Sequence, residues 1–209
     1  VLVAGDVYDG VDRGVRAQLR FRAALDRLGE SGIRTFVVHG NHDPLDEGWI
    51  AAGTFHPLVH VFGSAEVERV TFEAGGEDVT VHGISFDRPD VTENLALRFP
   101  IPDRVGFHIG LLHANVGGDP HHDPYSPCSV ADLAGVGMQY WALGHVHARR
   151  ILRRGPWIVY PGNLQARRAS ATEDGPNGAV VVQVEAGRAS EPRFVPLDVV
   201  RFVTVESSI

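Results

Sequence analysis

The sequence predicts an α/β sandwich, and three features of its pattern support this fold class. Two apolar runs, Val1–Gly5 and Ile33–Val38, flank a stripe of helical periodicity, which is typical of a strand, a helix and a second parallel strand. From Leu58 onward, alternating apolar runs separated by glycine turns are typical of antiparallel strands. Several apolar runs end in glycine followed by Asp, Asn or His, which indicates a ligand site at the carboxyl ends of strands.

The first unit begins with Val1–Gly5, a short β-branched run that places Asp6 at its carboxyl edge. A helix is predicted over Arg16–Leu28, where apolar residues form one stripe. The next strand, Ile33–Val38, is followed by a turn that carries Asn41. A right-handed crossover between parallel strands then brings Asp6 and Asn41 to the same edge of the sheet.

The rest of the chain predicts further short strands and two short helices. Antiparallel pairing is expected among Val59–Phe62, Val67–Phe72 and Val79–Ile84. Later strands are predicted over Val105–Leu112, Tyr140–Leu143, Ile151–Leu152, Trp157–Tyr160, Ala179–Glu185 and Phe194–Val205. One short helix ends near Phe99, and a second begins at Ser129 as N-cap with Asp132 in the capping-box position. The polar stretch Ala169–Gly178 is interpreted as a hairpin loop.

Composition narrows the function classes. A length of 209 residues with 44% hydrophobic residues suits one domain with a real core. The net charge of −7 excludes a uniformly basic surface for binding nucleic acid. A cleft that holds divalent cations can still bind a phosphodiester. The single cysteine, Cys128, cannot form an internal disulfide, and no segment has the length and apolarity of a membrane span, so we expect a cytoplasmic protein.

Three glycine-led turns carry metal-ligand residue types. They are Gly5-Asp6, Gly40–Asp43 and Gly144–His147, and His113 ends another apolar strand in the same way. Carboxylate and amide oxygens with imidazole nitrogens form a mixed ligand set that suits Mn²⁺, Fe²⁺ or Zn²⁺. Two such ions about 3.5–4 Å apart can clamp a phosphoryl oxygen and activate a bridging water. The turns therefore predict one metal site whose ligands come from separate parts of the chain.

In this order, the motifs resemble those of the calcineurin-like metallophosphoesterases. The surrounding residues are similar to those of the SbcD/YhaO-type DNA repair exonucleases at Val3–Asp9, Leu111–Val116, Tyr125–Cys128, Tyr140–His147, Tyr160–Asn163 and Pro196–Arg201. The resemblance covers nearly the whole chain. It implies the metallophosphoesterase fold, an αββα sandwich of two mixed sheets flanked by helices, and a single domain over residues 1–209.

The resemblance also implies a role for each site residue. Asp6 would bridge two divalent ions, Mn²⁺ first and Fe²⁺ or Zn²⁺ as alternatives. One ion would be completed by Asn41, His113 and His145, and the other would take His147. Two further residues, His42 and Asp43, would be catalytic: His42 would donate a proton or hydrogen bond at the scissile phosphate, and Asp43 would orient it.

The implied function is a DNA exonuclease or endonuclease in double-strand-break repair that hydrolyses phosphodiesters. Its partners would be DNA and an SMC-like ATPase subunit of the SbcC type, with a homodimer allowed and no membrane association. Arg149, Arg150 and His122 are the expected substrate contacts, and the Arg167-Arg168 pair could also meet phosphates. The alternatives are a phosphatase or cyclic-nucleotide phosphodiesterase, which would use the same ligands, and a non-catalytic scaffold for the ATPase.

One departure from the family pattern concerns the first motif. The family carries Asp-x-His on its opening strand, whereas only five residues precede Asp6 and none of them supplies it. The second ion would then keep only Asp6 and His147. We expect an upstream strand and a downstream capping region in the natural protein, so that this chain is a catalytic core cut at both ends. The alternative is a chain that binds one metal and is inactive as it stands.

Each residue also has a simpler explanation when it is taken alone. Asp6 could be a turn or N-cap residue, Asn41 a turn former and His113 a core histidine. The arginine pairs could be solvated surface, and Cys128 a buried side chain. The ordered conjunction of four motifs favours the metal site over four independent coincidences.

Overall fold

The computed structural model describes residues 1–10, 14–45, 54–169 and 174–205, which form a mixed α/β fold. Strand β1 (Leu2–Ala4), helix α1 (Val15–Glu30) and strand β2 (Thr35–Val38) make the predicted βαβ unit. The two strands are parallel, with Leu2 opposite Phe36. This pairing confirms that Asp6 and the turn after β2 share one edge of the sheet.

Strand β3 (Val59–Val61) is parallel to β2, so the predicted antiparallel pairing is wrong for this strand. An alternating apolar pattern reports which face of a strand is buried and carries no information about the direction of its neighbour. Phe62 follows β3 into the core and stacks on Phe36, with ring centroids 6.1 Å apart. In the described residues β1, β2 and β3 form a parallel sheet of three strands.

The second sheet has six strands in the order β4-β5-β6-β7-β9-β8. They are β4 (Glu68–Ala74), β5 (Glu77–Ile84), β6 (Phe107–His113), β7 (Tyr140–Gly144), β8 (Arg150–Arg153) and β9 (Trp157–Tyr160). Strands β5, β6, β7 and β9 are parallel, and the edge strands β4 and β8 are antiparallel to their neighbours. The antiparallel pairing predicted for Val67–Phe72 with Val79–Ile84 is therefore confirmed.

Short elements complete the described fold. They are a 3-10 helix (Leu95–Arg98), α2 (Val130–Val136), β10 (Gly178–Val181), β11 (Val184–Glu185), β12 (Arg188–Ala189) and β13 (Arg193–Pro196). The predicted capping box is present, because the Ser129 hydroxyl accepts from Asp132 N–H and the Asp132 carboxylate accepts from Ser129 N–H. The strand predicted over Phe194–Val205 stops at Pro196, and part of the Ala169–Gly178 loop lies outside the described residues. No described helix combines the length and apolarity needed to cross a bilayer.

The two sheets share a hydrophobic core. Phe36 and Val38 of β2 pack with Val81 of β5 and Leu111 of β6. A second cluster on the opposite side of the larger sheet is built around Trp141, whose indole N–H donates to the Leu133 carbonyl of α2. The larger sheet is thus covered on both faces. The complete four-layer arrangement of two mixed sheets between helices stays a prediction.

A buried histidine pair links the centre of the larger sheet to the loop before β6. His108 lies 3.1 Å, through Nε2, from the Arg104 carbonyl oxygen, which can only accept. In a neutral pair, Nδ1 of His108 then accepts from Nε2 of His82, 3.1 Å away. Burial, reinforced by the neighbouring His108, lowers the pKa of His82 to about 4.

We expect the free energy of unfolding to fall as the pH is lowered from about 7.5 to about 5. The unfolded chain binds a proton at His82 near pH 6.5, whereas the folded chain resists protonation until about pH 4. Stability from this group is complete above the unfolded pKa and decreases as pH falls toward the folded one, by about 2 kcal/mol across this range. His82→Gln should reduce the pH dependence measured by urea denaturation, while the exposed control His121→Gln should not. An unchanged pH dependence in His82→Gln would contradict the assignment.

Candidate metal centre

Three strand ends approach one another closely at the carboxyl edges of the two sheets. A Cβ atom at Gly144 would lie 1.7 Å from the Ala4 carbonyl oxygen, and a Cβ atom at Gly40 would lie 2.4 Å from Oδ1 of Asp6. Both distances are far below van der Waals contact. The glycines at the heads of these turns therefore let the turns after β1, β2 and β7 meet in one place.

Four predicted ligands converge where these turns meet. Asn41 Oδ1 lies 3.0 Å from Nε2 of His113 and 3.1 Å from Nδ1 of His145. The same Nε2 of His113 lies 3.4 Å from Oδ2 of Asp6. One ligand atom from each of Asp6, His113 and His145 falls within 4.8 Å of the others, which is the spacing of a shared ion. Sequence motifs separated by more than a hundred residues thus form a single cluster.

Hydrogen bonds outside the cluster determine which ring nitrogen each histidine presents. Nδ1 of His113 lies 2.8 Å from the Ala4 carbonyl oxygen, and Nε2 of His145 lies 2.8 Å from the Asp123 carbonyl oxygen. A carbonyl oxygen only accepts, so each of these nitrogens carries the proton. The opposite nitrogens, which face Asn41, therefore offer lone pairs in the neutral rings.

The donor set fits a divalent cation. A carboxylate oxygen, an amide oxygen and two imidazole lone pairs point at one another, and acceptors at such distances repel unless a cation lies between them. Burial and the neighbouring His113 lower the pKa of His145 to about 3, so this imidazole is neutral as a metal ligand must be. The residues present therefore fit a divalent ion such as the expected Mn²⁺, Fe²⁺ or Zn²⁺.

Asp43 binds the backbone of the two neighbouring turns, and its expected role in orienting His42 stays a prediction. Its carboxylate accepts from the backbone N–H groups of Gly40 (2.8 Å), Asp6 (3.1 Å) and Val7 (2.8 Å). Nδ1 of the buried His39 lies 3.3 Å from Oδ2 of the same carboxylate. Burial by itself would raise the pKa of Asp43, but His39 and the backbone N–H groups outweigh burial and hold this pKa below its usual range. Asp43 thus joins the turn after β1 to the turn after β2.

His42 lies beside the cluster with its side chain 43% exposed. Its backbone N–H donates to Oδ1 of Asp6 at 3.0 Å, so the residue is tied to the cluster while its ring is not one of the clustered groups. The nearest described carboxylate partner of this ring is Asp9, whose Oδ1 lies 3.8 Å from Nδ1 of His42. Arg167 also contacts this carboxylate, and its guanidinium lowers the pKa of Asp9.

His147 lies outside the cluster formed by Asp6, His113 and His145. Its backbone is held on both sides, because its N–H donates to Nε2 of His122 at 3.3 Å and its carbonyl accepts from Asn163 N–H at 3.0 Å. This position is compatible with the predicted second ion, which would share only Asp6 with the first. The assignment of His147 as a ligand stays a prediction.

The three expected substrate contacts all have protein partners in the structure. The Arg149 guanidinium lies over the Phe194 ring, 4.9 Å from its centroid. Arg150 pairs with the buried carboxylate of Asp119, although its side chain remains 42% exposed. His122 is only 8% exposed and bonds to Asp119 and the His147 amide. These contacts favour positioning roles for Arg150 and His122 over direct phosphate binding.

Sequence reasoning missed three residues that support the site. Asp9 approaches His42, Asp119 carries the charge behind His122, and the Asn115 side chain bonds to the carbonyl groups of the loop that reaches His145. Asp9 stands within the motif Val3–Asp9, so its place beside the metal turn was a usable signal. Asn115 likewise stands within the motif Leu111–Val116, whereas Asp119 lies in a polar loop, where nothing in the residue pattern distinguishes it from an ordinary turn former.

Comparison with known proteins agrees with this geometry. Residues 1–149 match the family model described as calcineurin-like phosphoesterase. The chain is 39% identical over 192 residues to the metallophosphoesterase YhaO of Bacillus subtilis (strain 168), a match that covers 91% of this chain and 46% of that protein.

Two more distant relatives carry nuclease or repair names. The chain is 31% identical over 171 residues to the DNA double-strand break repair protein Mre11 of Thermoplasma acidophilum, with 80% of this chain and 46% of that protein covered. It is 25% identical over 187 residues to the SbcD component of the nuclease SbcCD of Bacillus subtilis (strain 168), with 74% and 48% covered. The chain spans a little under half of the length of each of these relatives.

We expect Gly144→Ala to disrupt the metal centre, because the added methyl group would overlap the Ala4 carbonyl oxygen and push the turn of His145 away from Asp6. The free energy of unfolding should fall by about 3 kcal/mol or more, and calorimetric titration should show strongly weakened Mn²⁺ binding. Gly135→Ala is the matched control, because a Cβ atom on this exposed glycine of α2 meets nothing within 4 Å. Wild-type Mn²⁺ affinity in Gly144→Ala would show that the close approach is not required.

Proposed function

The chain belongs to the calcineurin-like phosphoesterase family, and we propose that it is a metal-dependent phosphodiesterase that cuts DNA in double-strand-break repair. One observation carries the proposal. Four acceptors from separate strand ends converge at cation-binding distances, and the backbone N–H of His42, whose side chain is 43% exposed, donates to one of them, Oδ1 of Asp6. This combination supports hydrolysis of a phosphate ester at the edge of the sheets.

Asp6, Asn41, His113 and His145 would hold the first ion, and Asp6 with His147 would contribute to a second. Mn²⁺ is our first choice because the ligand set mixes hard oxygen and imidazole donors. When bound, the ions would supply positive charge against the phosphoryl oxygens and lower the pKa of a water at the site. The protein keeps these ligands in place through the outer hydrogen bonds at Ala4 and Asp123.

His42 would donate a proton or hydrogen bond to the oxygen that gains charge during hydrolysis. Its backbone is anchored to Asp6 while its ring stays accessible, so a phosphodiester bound at the ions would lie within reach. Asp9 would support this role by orienting the ring, since its Oδ1 lies 3.8 Å from Nδ1 of His42. Asp43 would act indirectly, by fixing the turn on which His42 stands.

DNA as the substrate rests on the relatives and on the residues around the motifs. Similarity to a double-strand break repair protein and to a nuclease component supports a nucleic-acid phosphodiester over a small ester. An SMC-like ATPase subunit as partner and a cytoplasmic location belong to the same proposal. The same ligand cluster would also serve a phosphatase or a cyclic-nucleotide phosphodiesterase, so the substrate must be tested directly.

The test is an activity screen of this chain in Mn²⁺ against linear duplex DNA, single-stranded DNA, a cyclic nucleotide and a small aryl phosphate. We expect cleavage of DNA that EDTA abolishes. Hydrolysis confined to the small esters would refute the nuclease assignment in favour of the phosphatase or cyclic phosphodiesterase alternative. Tight Mn²⁺ binding without hydrolysis of any of these substrates would favour the two non-catalytic alternatives, a scaffold or a chain that binds one metal and is inactive as it stands.

For His42→Ala we expect hydrolysis to fall by about 10²–10⁴-fold, because the group that protonates or hydrogen-bonds the phosphate is removed. Mn²⁺ affinity should stay within error of wild type, since this ring lies outside the ligand cluster. Calorimetry and initial rates on the same preparation separate the two effects. The exposed His121→Ala serves as the control for a surface histidine, and loss of Mn²⁺ binding in His42→Ala would overturn the division of roles.

A further inference from the structure

We infer that Asp119 and His122 form a positioning pair that sets the conformation of the Gly144–His147 turn and, through it, the geometry of the metal centre. The pair lies in the loop between β6 and α2, and neither side chain belongs to the proposed ligand set. The inference rests on the proposed function, because it assigns these residues a role toward the metal site.

Both side chains of the pair are buried, and the ring nitrogens of His122 and the carboxylate oxygens of Asp119 each contact another group of the protein. Oδ1 of Asp119 lies 3.3 Å from Nδ1 of His122 and accepts from the His121 N–H at 2.8 Å. The other oxygen contacts the Arg150 guanidinium. The exposed fractions of the Asp119 and His122 side chains are only 2% and 8%. Such enclosure gives the His122 ring one orientation.

These contacts determine the tautomer of His122. Its Nε2 accepts the backbone N–H of His147 at 3.3 Å, so this nitrogen carries no proton. The proton of the neutral ring is therefore on Nδ1, where the Asp119 carboxylate accepts it. Asp119 thus directs the Nε2 lone pair of His122 toward the Gly144–His147 turn.

The position of His122 explains what the pair controls. Its ring packs edge-to-face against His145 (centroids 5.3 Å apart) and His147 (4.9 Å), which are the two imidazoles of the Gly144–His147 turn. The His147 backbone is held by His122 at its N–H and by Asn163 at its carbonyl. Removal of the His122 acceptor would release one side of this backbone and open space beside both imidazoles.

The loop that carries Asp119 and His122 also contacts His145, a proposed ligand in the Gly144–His147 turn. The Asn115 side-chain amide donates to the carbonyl oxygens of Asp119, His122 and Asp123, each at 3.1 Å. The Asp123 carbonyl in turn accepts from Nε2 of His145 at 2.8 Å. One loop therefore positions His145 by a carbonyl group and His147 by an imidazole, and both contacts act on proposed metal ligands from behind.

The first test reads the tautomer in the metal-free chain. Long-range ¹H–¹⁵N correlation spectra near pH 7.5 should show His122 protonated on Nδ1 and unprotonated on Nε2. The Asp119→Leu variant should lose this single tautomer, because the acceptor of the Nδ1 proton is gone. A His122 ring protonated on Nε2 in the wild-type chain would refute the inference, whether or not the chain binds metal or hydrolyses any ester.

The second test measures Co²⁺ and Mn²⁺ affinity together with the visible spectrum of the Co²⁺ complex. His122→Phe keeps a ring of similar size but has no acceptor, and we expect about 10- to 100-fold weaker binding and a changed Co²⁺ spectrum. His122→Gln places an amide oxygen at the Nε2 position and should restore most of the affinity and the wild-type spectrum. The neighbouring His121→Phe is the matched control and should leave both unchanged.

The outcomes separate this inference from the proposed function. Failure of the wild-type chain to bind either metal would refute the proposed metal centre, and the tautomer would then still decide the role of Asp119. Wild-type affinity and spectrum in His122→Phe would refute the positioning role while the metal centre stands. Weak binding in both His122→Phe and His122→Gln would also refute it, because the acceptor at Nε2 would then not be what matters.

Discussion

The close approach of three backbone turns is the constraint on which the rest of the site depends. The turn after β7 reaches the end of β1 only because residue 144 has no side chain, and the turn after β2 reaches Asp6 only because residue 40 has none. Parallel pairing of β1 with β2 and of β6 with β7 brings the carboxyl ends of these strands to the same edge. Ligands from positions 6, 41, 113 and 145 can then share one point in space.

The acceptor atoms of Asp6, Asn41, His113 and His145 repel one another, and hydrogen bonds to groups outside the cluster hold the two imidazoles in place. The Ala4 and Asp123 carbonyl groups fix the protonated nitrogens of His113 and His145 and leave their lone pairs directed inward. Asp43 accepts from three backbone N–H groups and thereby locks two of the turns together. A preorganised set of this kind favours cation binding, because the protein has already met the cost of ordering the ligands during folding.

The site divides into a buried part and an accessible part. The side chains of His113 and Asp43 are fully buried, whereas the ring of His42 and the side chain of Asp9 face solvent. This division suits a phosphoesterase, since the proposed ligands require a fixed geometry and the group proposed to meet the substrate must be reachable. The neighbouring loop of Asp119 and His122 extends the buried part to the Gly144–His147 turn.

The sequence by itself determined the α/β class, the first βαβ unit, the capping box at Ser129 and the four strand ends that carry the proposed ligands. These features depend on local patterns, namely apolar periodicity and glycine before a polar residue. Only the tertiary structure decided that β3 runs parallel to β2 and that the Asp43 carboxylate contacts His39 and three backbone N–H groups. It alone also paired Arg150 with Asp119 and showed which ring nitrogen of His122 accepts the His147 N–H. Strand direction and side-chain partners are relations between distant segments, and a carboxylate has the same letter in the sequence whether it binds a metal, a backbone amide or an arginine.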